Sequence, residues 1–237
     1  MPWVDDNKIW FNPAYIHACC AEIVKERGID QIKKERNYKK LVESFDLSLT
    51  ALTLYSLNRD THELPLIQIP KKDPPDGYIG QQSIKNPEDF DISVLELTRF
   101  EGKNSRTLLK QLLESDKVNP NYNKYGSHYV LLIKIEDNTH PDYEEVNNFL
   151  VKHKINYAVW ALEITQSYPD TTAKLTILNP NIQVVEVNIG EVALMYKQQK
   201  IAVAYENNRA GSKKRVRKEI TNHLDKKYFD KNFGWLL

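Results

Sequence analysis

Two carboxylates in the middle of the chain are the first candidates for chemistry. Asp76 lies in Pro75-Asp76-Gly77-Tyr78, and Glu96 opens Glu96-Leu97-Thr98 twenty residues later. If the intervening chain folds back as a hairpin, the two acids meet at one end of a sheet. Neighbouring carboxylates repel each other and are stable together mainly around a hard cation such as Mg²⁺. Because Mg²⁺ also bridges to phosphate oxygens and activates bound water, this pair predicts phosphodiester cleavage.

Each acid also has a purely structural explanation. Pro-Asp-Gly is a frequent turn sequence in which Gly supplies a positive φ, so Asp76 is equally well explained as a turn residue. Glu96 lies in an otherwise apolar stretch, where an ionised carboxylate is seldom buried without a partner. It is also explained as a solvent-facing residue of a half-exposed strand. The sequence leaves both explanations open.

Apolar spacing predicts the helices and strands that would position these residues. The strand that carries Glu96 alternates, so Glu96 and Thr98 share one face while Leu95 and Leu97 share the other. Asn12 is expected to cap the first helix, Gly28 to end it, and Ser105 to cap the helix after the strand. The predicted helices cover 13–27, 36–56, 106–114, 143–153 and 191–199, and the predicted strands cover 64–69, 78–79, 91–100, 129–135, 157–164, 174–178, 183–187 and 201–205, the last as a candidate edge strand.

Pro-Asp at the end of one strand, followed by Glu-x-x on the next, resembles the PD-(D/E)xK (restriction-endonuclease-like) nuclease superfamily. The element order over residues 36–135 also resembles that family's α-β-β-β-α-β core. The resemblance implies a metal-dependent endonuclease that hydrolyses DNA with Mg²⁺ or Mn²⁺. Asp76 and Glu96 would be metal ligands, and Glu43 on the preceding helix would be the additional acid that some members carry. The alternative for Glu43 is a solvated helix position.

Thr98 is where the chain departs from the family, which most often has Lys at that position. A Thr hydroxyl brings no positive charge to orient the attacking water. By the same resemblance, Lys110 on the following helix, with Gln111 beside it, is the candidate substitute, and Lys103 is a second. The predicted catalytic residues are therefore Glu96, Lys110 and Thr98. If neither lysine reaches the site, the alternative is a catalytically inactive nuclease-fold protein that binds nucleic acid or a protein partner.

The predicted fold class is α/β (α+β), with a mixed central β-sheet flanked by helices around a restriction-endonuclease-like core. We expect an N-terminal helical segment over 1–35, a nuclease-like α/β domain over 36–207, and a basic C-terminal arm or helix over 208–237. From residue 209 onward the chain has nine Lys or Arg against three Asp or Glu. Such local basicity suits a polyanion such as DNA, although a solvated arm explains it equally well. The candidate DNA-binding residues are Lys213, Lys214, Arg215, Arg217 and Lys218.

Composition excludes several other classes of protein. Hydrophobic residues make up 41% and charged residues 27% of the 237 residues, an ordinary globular mix. No clustered glycines, Gly-x-Ser-x-Gly elbow or paired histidines occur, which argues against NTPases, dinucleotide enzymes and serine hydrolases. An acidic start, two adjacent cysteines and the lack of a long apolar run predict a soluble cytoplasmic protein without a membrane span. DNA is the expected partner, and a homodimer is left open.

Overall fold

The chain is described here from a computed structural model. The structure describes residues 9–36, 38–70, 75–86, 90–100, 102, 104–114, 128–136, 141–155, 157–166, 171–179, 181–196, 202–205 and 216–220, with the backbone alone for 9, 166, 194–196, 202–205 and 216–220. Its helices are α1 (Pro13–Arg27), α2 (Ile29–Ile32), α3 (Tyr38–Asn58), α4 (Ser105–Glu114), α5 (Tyr143–Lys152) and α6 (Ile189–Tyr196). Its strands are β1 (Ile9–Phe11), β2 (Leu66–Gln68), β3 (Gly77–Gln82), β4 (Phe90–Phe100), β5 (Tyr129–Ile135), β6 (Ala158–Gln166), β7 (Thr172–Asn179), β8 (Gln183–Asn188), β9 (Ala202–Tyr205) and β10 (Val216–Ile220).

The strands form one ten-stranded sheet in the order β10-β9-β1-β2-β3-β4-β5-β6-β7-β8. β4, β5 and β6 run parallel to one another, and the remaining neighbours are antiparallel. The mixed sheet flanked by helices that the sequence predicts is therefore confirmed. The sheet draws strands from all three predicted segments of the chain, since β1 precedes residue 36 and β10 follows residue 208.

Strand alternation divides the side chains of β4 between the two faces of the sheet. Leu95 and Leu97 pack with residues of α1, α3 and α6, so we call that side the α3 face. Phe100 packs instead with Leu108 and Leu112 of α4, on the side we call the α4 face, which α5 also covers. The predicted alternation of β4 is confirmed, and it fixes the side of the sheet toward which each polar residue of this strand is directed.

The N-terminal helix begins and ends where the sequence predicts. The side chain of Asn12 accepts a hydrogen bond from the backbone N–H of Ala14, and Pro13 is the first helical residue. Gly28 ends the helix with φ +75°, a conformation that glycine adopts without the steric cost of a Cβ. Local chemistry alone is therefore sufficient to define α1.

The predicted cap of α4 is wrong. Asn104, not Ser105, caps this helix, because Asn104 Oδ1 accepts hydrogen bonds from the backbone N–H of Thr107 at 3.1 Å and from its hydroxyl at 2.8 Å. The Ser105 hydroxyl instead accepts a hydrogen bond at 2.6 Å from the backbone N–H of Asp142, just before α5. Ser105 therefore links two helices across the α4 face, a long-range contact that local spacing does not predict.

Asn104→Ala is expected to lower the free energy of unfolding by about 1 kcal/mol, because two donors of Thr107 lose their acceptor. Thermal unfolding followed by circular dichroism measures this loss. Asn104→Asp, which keeps an acceptor oxygen, is the matched control and is expected to stay close to wild type. Equal destabilisation by both substitutions would contradict the cap.

At the β10 end of the sheet the sequence predicted β9 but missed β1 and β10. The predicted edge strand is β9, but it lies inside the sheet between β1 and β10, so the edge assignment is wrong. β10 lies within the segment predicted to be a basic C-terminal arm or helix, and it includes Arg217 and Lys218. Charged residues are common on edge strands, because they discourage pairing with other chains. A polar sequence is for that reason a weak argument against an edge strand.

Candidate functional site

Asp76 is held against β4 on both sides of Glu96. Its backbone N–H donates to the carbonyl of Leu95 at 3.0 Å, and its Oδ2 accepts from the backbone N–H of Leu97 at 2.7 Å. The Asp76 carboxylate thus accepts a hydrogen bond that a backbone carbonyl would accept in a regular pair of strands. The pairing of β3 with β4 begins at the next residue, with Gly77 opposite Leu95. Asp76 is 9% exposed. The two acids that the sequence pairs therefore adjoin each other along the β4 backbone.

Gly77 is needed for close packing, not for a turn. It is the first residue of β3, and among the described residues Gly28 is the glycine with a positive φ. A Cβ at Gly77 would lie 2.7 Å from Leu47 Cδ2 on α3, closer than real contacts allow. The explanation of Pro75-Asp76-Gly77 as a positive-φ turn is therefore wrong. Gly77 lets α3 approach the point where Asp76 meets β4.

Glu96 is buried, so the explanation that it faces solvent is wrong. It is 6% exposed. By strand alternation it lies with Val94 and Phe100 on the α4 face, followed on the same face by the half-buried Thr98. A carboxylate in this position has lost most of its hydration, and such groups are retained where a charge or a polar partner compensates them.

Glu43 approaches Asp76 from α3. It is 7% exposed, so the expectation of a solvated helix position is wrong. Burial raises the pKa of its carboxyl, and repulsion from Asp76 raises the pKa further. The positive charges of Lys40 and Lys39 lower the pKa of Glu43. The Nζ atom of Lys39 lies 3.2 Å from Glu43 Oε1, and the Nζ atom of Lys40 lies 3.3 Å from Glu43 Oε2.

Asp76 is thus the residue shared by two pairs of acids. Asp76 is hydrogen-bonded to the β4 backbone beside Glu96, and its charge repels that of Glu43. Glu96 lies on the α4 face, whereas Glu43 belongs to α3. Within the described ranges no three side chains from His, Cys, Asp and Glu are grouped so as to hold a metal ion. The structure does not bring Asp76, Glu96 and Glu43 together as a ready trio.

The side chains of Asp76 and of the two acids near it end in carboxylate oxygens, the ligand type that hard divalent cations prefer. Mg²⁺ prefers carboxylate oxygens and is commonly bound by one or two carboxylates together with substrate phosphates. Burial is the main cause of the raised pKa of Glu43, and repulsion from Asp76 adds to it. A cation shared by Asp76 with either Glu43 or Glu96 would be held by two carboxylates.

Lys110 lies at the surface of α4. Its side chain is 73% exposed and its Nζ is 3.7 Å from Glu114 Oε1, one helical turn away. Its neighbour Gln111 makes a hydrogen bond from α4 to β4, in which Nε2 donates to the carbonyl of Arg99 at 2.6 Å. The structure therefore does not direct Lys110 toward Glu96. Lys103 lies outside the described residues.

The sequence missed a buried charged cluster on the α3 face. Asp46 is 2% exposed, and burial raises its pKa to about 6 against the opposing effect of Lys134 and Arg99. Lys134 is 5% exposed, and burial lowers its pKa. Arg99 Nη2 lies 3.6 Å from Asp46 Oδ2 and its Nη1 lies 3.8 Å from Glu136 Oε1. The sequence does contain an indication of this cluster, because Lys134 is the one charged residue in the apolar run of β5.

Of the predicted DNA-binding residues, Arg217 and Lys218 lie in β10, whose backbone pairs with β9. Lys213, Lys214 and Arg215 lie outside the described residues. No helix in the described part of the chain is long and apolar enough to cross a bilayer.

Comparison of the chain with protein-family models, with curated proteins and with solved structures found no match.

Proposed function

We propose that the chain is a divalent-metal-dependent endonuclease that hydrolyses phosphodiester bonds of DNA. The observation that carries this proposal is the position of Asp76, hydrogen-bonded to β4 on both sides of Glu96 and coupled by repulsion to Glu43. Buried carboxylates arranged around one acid are costly for the fold unless a cation neutralises them. A bound Mg²⁺ or Mn²⁺ would offset that cost by neutralising the carboxylates.

The order of elements supports the same proposal. α3 is followed by the antiparallel β2, β3 and β4, then by α4, and then by β5, which is parallel to β4. That is the α-β-β-β-α-β order implied by the resemblance to PD-(D/E)xK nucleases. Glu43 lies on α3, Glu96 lies on β4, and Asp76 lies immediately before the first residue of β3 and not at the end of a strand as the resemblance implies.

Asp76 would hold the metal with Glu96 or Glu43, and the Leu97 N–H bond would keep the Asp76 carboxylate oriented. The metal, when bound, would polarise a phosphoryl oxygen and lower the pKa of a bound water. Thr98, on the same face as Glu96, offers a hydroxyl that donates and accepts hydrogen bonds but carries no charge. The residues of the chain therefore supply binding and orientation, while the positive charge at the reacting phosphate comes from the metal.

A catalytically inactive nucleic-acid-binding protein on the same scaffold is the second candidate. It is favoured by Thr98 in the position of the usual Lys, and by Lys110, which pairs at the surface with Glu114. Such a protein would bind DNA with an affinity that falls steeply with salt and would leave the strands intact with any divalent metal.

Plasmid cleavage distinguishes the two candidates. Wild-type protein is expected to nick or linearise supercoiled DNA with Mg²⁺ or Mn²⁺ and to lose activity in EDTA, whereas Asp76→Asn, which changes the acid common to both candidate ligand pairs, is expected to cleave far more slowly with either metal. Glu114→Gln, which changes an exposed glutamate at 68% side-chain exposure, is the matched control and is expected to cleave normally. Salt-sensitive binding without cleavage would favour the second candidate. Equal cleavage by wild type and Asp76→Asn would rule out the proposed site.

A further inference from the structure

Two positive side chains lie next to each other at the carboxyl ends of β4 and β5. Arg99 and Lys134 are paired in register across these parallel strands, and each is the last residue but one of its strand. Strand alternation directs both toward the α3 face. In open α/β sheets, ligands bind outside the carboxyl ends of parallel strands. The two cations therefore lie at the edge of the sheet where a ligand is expected.

The Arg99 guanidinium forms ion pairs but no hydrogen bonds with the described part of the chain. Its Nη2 lies 3.6 Å from Asp46 Oδ2 and its Nη1 lies 3.8 Å from Glu136 Oε1, and both distances are too long for a hydrogen bond. Asp46 Oδ2 is buried and also lacks a hydrogen-bond partner among the described residues. A guanidinium has five N–H donors in a planar fork that matches the oxygens of a phosphate. The donors of Arg99 are therefore available to such a ligand.

Arg99 is the weaker of two cations that act on Asp46. Lys134 lowers the pKa of Asp46 more than Arg99 does. The side chain of Asp46 is 3% exposed, whereas those of Arg99 and Glu136 are 39% and 31% exposed. Arg99 and Glu136 therefore form an outer pair that solvent reaches, while Asp46 and Lys134 are buried. An exposed ion pair of this kind contributes little stability, so exchanging it for a ligand costs little.

The backbone around Arg99 is fixed by hydrogen bonds to two other segments. Gln111 Nε2 on α4 donates to the carbonyl of Arg99 at 2.6 Å, and the backbone N–H of Glu136 donates to the carbonyl of Phe100 at 2.9 Å. A residue whose backbone is ordered before binding loses less conformational entropy when the ligand binds. Only the side chain of Arg99 has to change its partner.

We propose that Arg99 binds a backbone phosphate of DNA, exchanging its contact with Glu136 for two phosphate oxygens. The proposal rests on the proposed function, since it names a further contact of the same substrate. Glu43, which Asp76 repels, precedes Asp46 by about one turn of α3, or about 5 Å along the helix axis. A DNA strand that passes Asp76 and continues along α3 therefore reaches Arg99.

The affinity of the protein for a 20-base-pair duplex in EDTA, between 50 and 200 mM salt, tests this contact. At about 0.1 M salt one lost phosphate contact weakens binding about eightfold and makes the log–log salt slope shallower by about 0.9. We expect both changes for Arg99→Gln. Arg99→Lys, which keeps the charge beside Asp46 but not the fork, is expected to lie between Arg99→Gln and wild type. Arg59→Gln is the matched control, because Arg59 is exposed and lies 3.8 Å from an acid, Asp60, and it is expected to bind as wild type does.

Glu136→Gln is expected to change the affinity in the opposite direction, which a damaged fold does not do. Because Glu136 competes with phosphate for Arg99, this variant is expected to bind the duplex about threefold more tightly, the effect of losing one partly exposed ion pair. The double variant Arg99→Gln with Glu136→Gln is expected to bind no more tightly than Arg99→Gln alone, because the competition requires Arg99. Circular dichroism melting of each variant reports whether the fold is retained.

The outcomes separate this inference from the proposed function. Unchanged affinity in Arg99→Gln, or an equal gain from Glu136→Gln with and without Arg99, would overturn the phosphate contact even if wild type cleaves DNA. The expected changes in all three variants, together with no cleavage by wild type, would support the contact and overturn the nuclease. No duplex binding by wild type would overturn both.

Inorganic phosphate, titrated at constant ionic strength, is the second probe. Phosphate binding that Arg99→Gln abolishes, with an unchanged affinity for the duplex, would assign the site to free phosphate and overturn the contact with DNA. Loss of duplex affinity in Arg99→Gln, with phosphate alone binding weakly or not at all, would support the contact with DNA.

Discussion

Asp76→Asn is expected to reduce metal-dependent DNA cleavage by about 10²- to 10³-fold while leaving the fold in place. The Asn side chain keeps an oxygen that can accept from the Leu97 N–H, so the contact with β4 is retained. What is lost is the charge that binds the cation. A metal supplies several kcal/mol of transition-state stabilisation, and each 1.36 kcal/mol is a factor of ten in rate. Initial rates of plasmid nicking measure the effect.

Two further substitutions identify the second ligand. If Asp76 shares the cation with Glu96, Glu96→Gln is expected to reduce activity as much as Asp76→Asn, with a smaller effect from Glu43→Gln. If the partner is Glu43, the order reverses. The melting temperature of Asp76→Asn is expected to stay within about 4 °C of wild type, as for a change below about 1 kcal/mol in a chain of this size. Full activity in Asp76→Asn would contradict any metal site built on this residue.

Lys134→Met is expected to lower the free energy of unfolding by about 3–5 kcal/mol at pH 8. Lys134 is the largest opposing charge on the buried Asp46, and its removal leaves that carboxylate with Arg99 at 3.6 Å. Removing the larger of two opposing charges leaves the buried carboxylate only partly compensated, which is costly in a site that excludes water. Urea unfolding at several pH values measures the loss.

The loss is expected to shrink as the pH falls. Burial raises the pKa of Asp46 from 3.8 to about 6 in the folded state, so the stability that its carboxyl contributes is complete below pH 3.8 and is lost as the pH rises through 6. Glu136 and Glu43 raise this pKa, and Lys134 and Arg99 lower it. Without Lys134 the folded-state pKa moves higher, so the loss of stability continues to higher pH. We expect the difference between Lys134→Met and wild type to be smaller by about 1–2 kcal/mol at pH 5.

The double variant Lys134→Met with Asp46→Asn is the control for this prediction. It removes both charges, and pairs replaced together are often close to neutral in stability. We expect it to recover most of the loss at pH 8 and to show little pH dependence between pH 5 and 8. A single variant whose loss is the same at pH 5 and pH 8 would show that lost packing, and not the charge on Asp46, is responsible.

The regular elements could be predicted because their signals are local. The apolar and polar positions of β4 alternate, α1 carries its cap and its terminating glycine, and β5 is a short apolar run. The face on which Glu96 lies followed from the same alternation. β10 could not be predicted in this way, because it depends on pairing with β9. The cap of α4 could not be predicted either, because the Ser105 hydroxyl accepts a hydrogen bond from the backbone N–H of Asp142, far along the chain.

The sequence predicted the acidic residues of the candidate site but not the lysines that lie near buried acids. Asp76 and Glu96 were found from spacing, and Glu43 from a resemblance that assigns an acid to the helix. Lys110 was predicted from the same resemblance, which allows the lysine to lie on the following helix, but its side chain is exposed at the surface of α4. The cations that do reach buried acids, Lys40 and Lys134, come from α3 and β5. Their roles depend on how those elements pack, which spacing along the chain does not encode.

The most direct test of the central claim is calorimetric titration of Mn²⁺ into the wild-type protein and into Asp76→Asn, without DNA. Wild type is expected to bind Mn²⁺, and Asp76→Asn is expected to bind it at least about tenfold more weakly, since each 1.4 kcal/mol of lost interaction is a factor of ten in affinity. Equal Mn²⁺ affinity in the two proteins, or no binding to wild type, would contradict a metal site centred on Asp76.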